Sequence, residues 1–404
     1  MPEDDAGLGG FDALRRAVLE DPALQLRLRR HRDWAELCVA CRAIAQELGL
    51  ALGEGELELV RSTIRRPGHV GSVPRGQWNP GPDPRRPPGF TPVEFDGRSA
   101  TVDWVDMRGV ELERPFYGEV VQGAVAQPYR LLFRARTPVD QLDTPDPCDH
   151  ESSELAGLIF HTSRCGSTLV GGMLAQVPGT VVLSEPVIVG QLVRAPGIPE
   201  ATRARWAAAA GAALARRPPG ARRAVLKLDP WATRHLELLR AAFPDAPWVF
   251  LHRAPAEVVA SQLRVPGLTC ARGMRASELF GIELGRALGM PFAEYCAIVI
   301  GTILTDALGN LHGAGCLVGY EELPDAVLSR ILPHFGIEAD GAAQEAMRTI
   351  AGRDAKRPYQ HFDPAAVVPP TADVREACRR YADEPYAGLR ALSRPDATPV
   401  STPW

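Results

Sequence analysis

The chain has 404 residues, 45% hydrophobic and 23% charged, with a formal net charge of −4. That length suits two or three domains and allows a sizeable core. The near-neutral charge gives no general basic field, which argues against bulk attraction to nucleic acid or to an anionic membrane.

The start, Met1-Pro2-Glu3-Asp4-Asp5, has neither the basic nor the apolar part of a secretory signal. The longest apolar stretches are broken by charge or by Pro and Gly, so a cytoplasmic location is expected, with no membrane partner. Residues 8–60 read as helical: Phe11, Leu14, Val18 and Leu19 share a face, and Asp21-Pro22 opens a new helix. Trp34, Leu37, Cys41, Ile44 and Leu48 then recur at helical spacing. Cys38 and Cys41 form a lone C-x-x-C with no second pair, and read as small core residues one turn apart. A helical segment over 1–64, a Pro- and Gly-rich linker over 65–92 and a β-rich accessory region over 93–150 are therefore expected. Within the last, residues 93–95 and 100–105 alternate as strands around Asp96-Gly97, and 129–133 is a further candidate strand.

From residue 151 to 404 strands alternate with helices: strands at 155–160, 181–183, 225–228, 248–251 and 317–320, helices at 167–176, 200–216, 235–243, 255–263 and 326–335. This order predicts an α/β fold, a parallel sheet flanked by helices. Between the first strand and helix stands His161-Thr162-Ser163-Arg164-Cys165-Gly166-Ser167-Thr168. A loop at that place turns backbone N–H groups inward and adds the positive end of a helix. Gly166 lets the backbone approach an anion, Ser167 and Thr168 offer hydroxyls, and Arg164 supplies a fixed charge. The nucleotide-triphosphatase pattern G-x-x-x-x-G-K-[ST] is not met, since no Lys follows Gly166. A second signal is Leu251-His252-Arg253-Ala254-Pro255 with Ser261 two turns on. An Arg at a strand end and a Ser on the adjoining helix can clamp one phosphate from two sides.

Together these two segments resemble the sulfotransferases of bacterial type, with a P-loop-type fold, over roughly residues 155–365. The resemblance implies 3'-phosphoadenosine 5'-phosphosulfate (PAPS) as donor and its bisphosphate (PAP) as product. It gives Arg164 the role of the family's loop lysine, and Cys165, Gly166, Ser167 and Thr168 the 5'-phosphate. Arg253 and Ser261 would hold the 3'-phosphate, joined by Lys356 and Arg357 from a basic Gly-containing loop whose pattern departs from the family's. Val318-Gly319-Tyr320-Glu321-Glu322-Leu323 and His334-Phe335-Gly336-Ile337 resemble further family segments and read as structural. No metal-ligand cluster is apparent, and sulfuryl transfer does not oblige one.

Glu185, in Leu183-Ser184-Glu185-Pro186, ends the strand after the loop helix and is the first choice for the acceptor's base. His161 and His252 are alternatives. Lys227 and Asp229 end another strand and either orient the acceptor and sulfuryl oxygens or form a structural ion pair. Residues 8–60 weakly resemble a Nif11-like leader segment, through Phe11, Asp21-Pro22-Ala23-Leu24, Trp34, Leu37 and Gly49. The β-rich region either covers the acceptor or mediates a homodimer. The acceptor is expected to be a hydroxyl-bearing small molecule or peptide. Two other readings stand: a P-loop small-molecule kinase using ATP and Mg²⁺, and a non-catalytic nucleotide-binding protein.

Overall fold

The computed structural model describes residues 9–64, 81–112, 114–144, 154–216, 221–273, 279–310, 315–354, 357–361 and 369–393, with no side-chain account of 354 or 357–361. The chain divides into two compact units, residues 1–152 with 186–218, and residues 153–185 with 219–404. Residues 186–218 thus pack with the first unit, inside the stretch expected as one α/β domain.

The first unit opens with helices Gly9–Glu20, Pro22–Arg29, Trp34–Glu47 and Glu56–Thr63. Asp21 and Asp33 cap the second and third, each carboxylate accepting from two backbone N–H groups. Cys38 and Cys41 are both buried, and burial raises the Cys41 thiol to about 12. An antiparallel sheet follows, β1 (Phe90–Asp96), β2 (Thr101–Asp106) and β3 (Ala135–Pro138), in that order. Residues 129–133, expected as a strand, instead fall in a helix, Pro128–Leu132. The Pro at its first turn has no N–H to lose there and presets φ for a helix, which outweighs the strand preference of Tyr129 and Phe133. Helix Tyr117–Val125 further dilutes the β content of this region. Helices Val187–Val193 and Glu200–Ala215 complete the unit: Gln191 Oε1 accepts from Phe95 N at 2.8 Å and Trp206 packs on Phe95.

The second unit is a mixed α/β layer built on five parallel strands: β4 (Glu154–His161), β5 (Thr180–Ser184), β6 (Arg223–Lys227), β7 (Trp248–His252) and β8 (Gly315–Gly319), in the order β5-β6-β4-β7-β8. The central strands β6, β4 and β7 are short runs buried on both faces over most of their length, whereas the edge strands β5 and β8 are buried only in part. Ile159, Val225, Val249, Leu251 and Val318 share one cluster with Val170, Met173 and Leu174 of helix Ser167–Leu174, Val327, Ile331 and Leu332 of the segment 327–334, and Met347 of helix Gly341–Ala351. By alternation Leu158, Phe160 and Phe250 fall on the opposite face. His252, of Phe250's parity, packs its ring edge-on to Tyr386 of helix Asp383–Leu392. Each such wholly buried side chain contributes about 1.5–3 kcal/mol.

Among the described residues one helix, Phe292–Gly309, is long and apolar enough to cross a membrane. Its apolar run is interrupted by Glu294, Gly301 and Asp306, as expected of the longest apolar stretches. Half of its apolar window is buried within the unit, against helices Pro255–Arg264, Ala372–Tyr381 and Asp383–Leu392.

The strand register brings the carboxyl ends level. Ser184 pairs with Lys227, Ile159 with Lys227, His161 with Leu251, and His252 with Gly319. Residues following each strand therefore emerge along one edge, the place where open α/β sheets bind ligands.

Candidate anion-binding and catalytic site

Between β4 and helix Ser167–Leu174 the backbone turns through the left-handed region three times in four residues: Ser163 at φ 69, Arg164 at φ 52 and Gly166 at φ 84. Only glycine adopts that region at little cost, so Ser163 and Arg164 hold a conformation that the surroundings must enforce. Such turns direct successive N–H groups into a concave nest, here opening onto a helix N-terminus. Gly166 is required twice over, because a Cβ there would lie 2.6 Å from Leu323 Cδ1 and 3.2 Å from Tyr320 Cδ2. Ser167 is buried, Thr168 half-buried, and Cys165 wholly buried beneath the loop.

Arg164 is half-buried, and its Nη2 donates to Val265 O. Burial, and then Arg264 nearby, lower its pKa from the usual arginine value.

Arg253 leaves the end of β7 and reaches the same loop. Its Nη1 donates to Arg164 O at 3.2 Å, and its Nε to Glu257 at 2.7 Å. The guanidinium carbon lies 4.0 Å from the centre of the Tyr320 ring, a cation–π seat that fixes the plane of the fork. Ser261 is half-buried, two turns along the helix that Pro255 opens. Lys356 lies outside the described residues; Arg357 is described only as the first residue of strand Arg357–His361.

The Tyr320-Glu321-Glu322-Leu323 segment explains why this seat is rigid. Glu322 accepts from Gly319 N at 2.6 Å and pairs with Arg330, whose Nη2 donates to Leu317 O at 2.7 Å. Tyr320 and Leu323 are thereby held against Gly166 and Arg253, and the structural reading of this segment stands with a sharper content than sequence spacing gave it.

At the other end of the edge is a second cluster. Glu185, at φ 56, donates its N–H to Lys227 O at 2.5 Å. The Lys227 Nζ lies 2.5 Å from Glu185 Oε1, and His161 Nε2 lies 3.6 Å from the same oxygen. Lys227 is wholly buried, and a Cβ on Gly171 would come within 3.9 Å of its Cδ. His161 Nδ1 accepts from Ser163 N at 3.1 Å, so the neutral ring is assigned its proton on Nε2, facing Glu185. Burial alone would raise the Glu185 carboxyl, but Lys227 and then His161 overcome it and hold the group down to about 2.

The other sequence candidates take different places. His252 bonds Ser393 Oγ at 3.1 Å and packs on Tyr386, on the opposite face of the sheet, and burial lowers its pKa. Asp229 caps the turn Pro230–His235, accepting from Ala232 N at 2.9 Å, while Lys227 pairs with Glu185. Gln262, which no sequence motif singles out, is wholly buried against the loop.

Residues 190–275 match the model of the sulfotransferase family, a stretch that includes Lys227, Arg253, Ser261 and Gln262. Among solved structures the chain is similar to the sulfotransferase domain of the Synechococcus PCC 7002 olefin synthase, at 20% identity over 62% of this chain and 98% of that one, with a TM-score of 0.38. It is similar also to a sulfotransferase from Alicyclobacillus acidocaldarius, at 16% identity over 61% and 98%, TM-score 0.37. A third is the sulfotransferase STF9 from Mycobacterium avium, at 14% identity over 66% and 84%, TM-score 0.39. No curated protein matches the chain.

Proposed function

We propose that this chain is a sulfotransferase that moves a sulfuryl group from PAPS to a hydroxyl-bearing small molecule or peptide. The observation that carries the reading is the 3.2 Å bond from Arg253 Nη1 to Arg164 O, which makes neighbours of the two anion-binding segments. A donor bearing a phosphate at each end of one nucleoside calls for two such cradles side by side. The residues fit it chemically. The loop presents N–H groups and hydroxyls, and Arg253 Nη2 has no protein acceptor among the described residues. The nearby carboxylates are already matched, Glu257 to Arg253 and Glu185 to Lys227.

In this reading Gly166, Ser167, Thr168 and the N–H of Cys165 hold the 5'-phosphate. Arg253 and Ser261 hold the 3'-phosphate, with Lys356 and Arg357 completing the set. The donor supplies an activated sulfuryl group, whose bond to phosphate breaks as the acceptor oxygen bonds to sulfur. Arg164 stabilises the negative charge that builds on the departing phosphate; being permanently protonated, it works as a charge and not as a proton donor.

Glu185 receives the acceptor's proton. Held near 2 it is always ionised at neutral pH, but it is a poor base in the resting site. The acceptor hydroxyl must therefore take the place of one of its two partners, Lys227 or His161, before the proton moves. His161 ties this cluster to the loop through its bond to Ser163 N.

A thermal-shift comparison tests the donor assignment. PAP is expected to raise the melting temperature without added metal. A rise with ATP and Mg²⁺ alone would point instead to a kinase.

A further inference from the structure

Gln262 follows Ser261 on helix Pro255–Arg264, and its side chain is wholly buried. A primary amide in that position carries both donors and acceptors, and leaving them unmet when buried is costly. Both ends are met here. Its Oε1 accepts from Gly267 N at 2.7 Å, and its Nε2 donates to Ser163 Oγ at 3.1 Å. The backbone N–H of Gly267 can only donate, so the amide's orientation is fixed by that partner, and its NH₂ must face Ser163.

The two partners flank Arg164 from opposite directions. Ser163 is the residue before it and holds the left-handed turn at φ 69 that begins the nest. Gly267 belongs to the stretch whose Val265 O receives the Arg164 Nη2. A Cβ on Gly267 would lie 3.2 Å from Gln262 Oε1 and 3.5 Å from Arg164 Nη2. One buried amide thus ties together the backbone entering Arg164 and the segment that receives its guanidinium.

We propose that Gln262 is a positioning residue that sets the Arg164 side chain and the loop backbone for the 5'-phosphate. The proposal rests on the reading above that Arg164 serves that end of the donor. The alternative is a packing glutamine with no such bias. It would give a variant that is less stable overall but unselective between ligands.

The experiment uses the full chain and three variants, Gln262→Met, Gln262→Glu and Arg164→Ala, with the double variant of the first and last. Met keeps the length and loses both bonds. Glu can keep both, because the Ser163 hydroxyl can turn to donate to it. Hydrogen–deuterium exchange without ligand is read first. Gln262→Met should speed exchange together at 162–168 and 265–270, and leave β6 and β7 as in the parent. Unchanged exchange at 162–168 overturns the proposal whatever the chain binds.

Affinities for PAP and for adenosine 3'-monophosphate, which lacks the 5'-phosphate, are then compared by titration calorimetry. Gln262→Met should weaken PAP about tenfold, the scale of one or two lost hydrogen bonds, and leave the monophosphate within about twofold. Gln262→Glu should recover most of the PAP affinity. The losses in the Arg164→Ala/Gln262→Met pair should be less than additive, because part of the Gln262 effect runs through Arg164. Equal weakening of both ligands, or additive losses in the double variant, overturns the proposal. Failure of the parent chain to bind PAP would instead strike the donor assignment, while the exchange result still decides the coupling.

Discussion

The Nζ of Lys227, with no exposed surface, lies 2.5 Å from Oε1 of Glu185, whose side chain keeps 27% of its surface in solvent. The pair is lopsided: water can reach the carboxylate and cannot reach the ammonium. Ion pairs lose most when the group left behind is the buried one.

Glu185→Ala is therefore expected to destabilise the chain by about 3 kcal/mol, because the buried ammonium loses this counter-charge. Lys227→Met should cost less, about 1 kcal/mol, since the remaining carboxylate can be hydrated. Urea unfolding midpoints compare the two. Equal losses, or the reverse order, would contradict the asymmetry.

The same pair sets a pH dependence. Glu185 is held at about 2 against an ordinary 4.5, so the unfolded chain binds its proton first as pH falls. The stability it contributes is complete above 4.5 and drains away as pH drops through 2. The stability difference between the parent and Glu185→Gln should accordingly be constant above pH 5 and shrink between 4.5 and 2. A difference that grows in that window would reverse the sign of the pairing.

Glu185→Gln should also separate binding from chemistry. The amide cannot take a proton at neutral pH, so labelled sulfate transfer should fall about a hundredfold or more. PAP affinity should stay within about threefold, because the loop and Arg253 are untouched. Full transfer activity in this variant would remove Glu185 as the base.

Gly166→Ala places a methyl group 2.6 Å from Leu323 Cδ1 at φ 84. The strained backbone and the displaced Tyr320–Leu323 seat should cost about 1–3 kcal/mol and weaken PAP binding by tenfold or more. Arg253→Lys should weaken PAP nearly as much as Arg253→Ala, because a lysine keeps the charge but neither the planar fork that reaches Arg164 O and Glu257 together nor the stacking on Tyr320. Rescue by lysine would mean that charge alone matters there.

Much of this could be read before any coordinates, because parallel strands are local apolar runs and the phosphate loop is one contiguous stretch. Residues 155–160, 225–228 and 248–251 became β4, β6 and β7 within a residue or two. The position of Glu185 beside the loop followed from strand ends lying level. What escaped was non-local or turned on a single competing preference. Tyr129 and Phe133 suggested a strand, yet Pro128 opened a helix. His252 stands one residue from Arg253, but strand alternation turns its ring to the opposite face. Lys227, 42 positions from Glu185, became its partner only through the pairing of β5 with β6. Gln262 gave no sign at all, since a glutamine on an amphipathic helix is ordinary until its two partners, 99 and 5 positions away, are known.

The most direct test of the account is a crystal structure of the full chain with PAP. The 5'-phosphate is expected on residues 164–168 and the 3'-phosphate on Arg253 and Ser261, with the Arg253 bond to Arg164 O retained or opened to the ligand. PAP bound with its phosphates away from both segments, or with its 3'-phosphate in the loop, would contradict it.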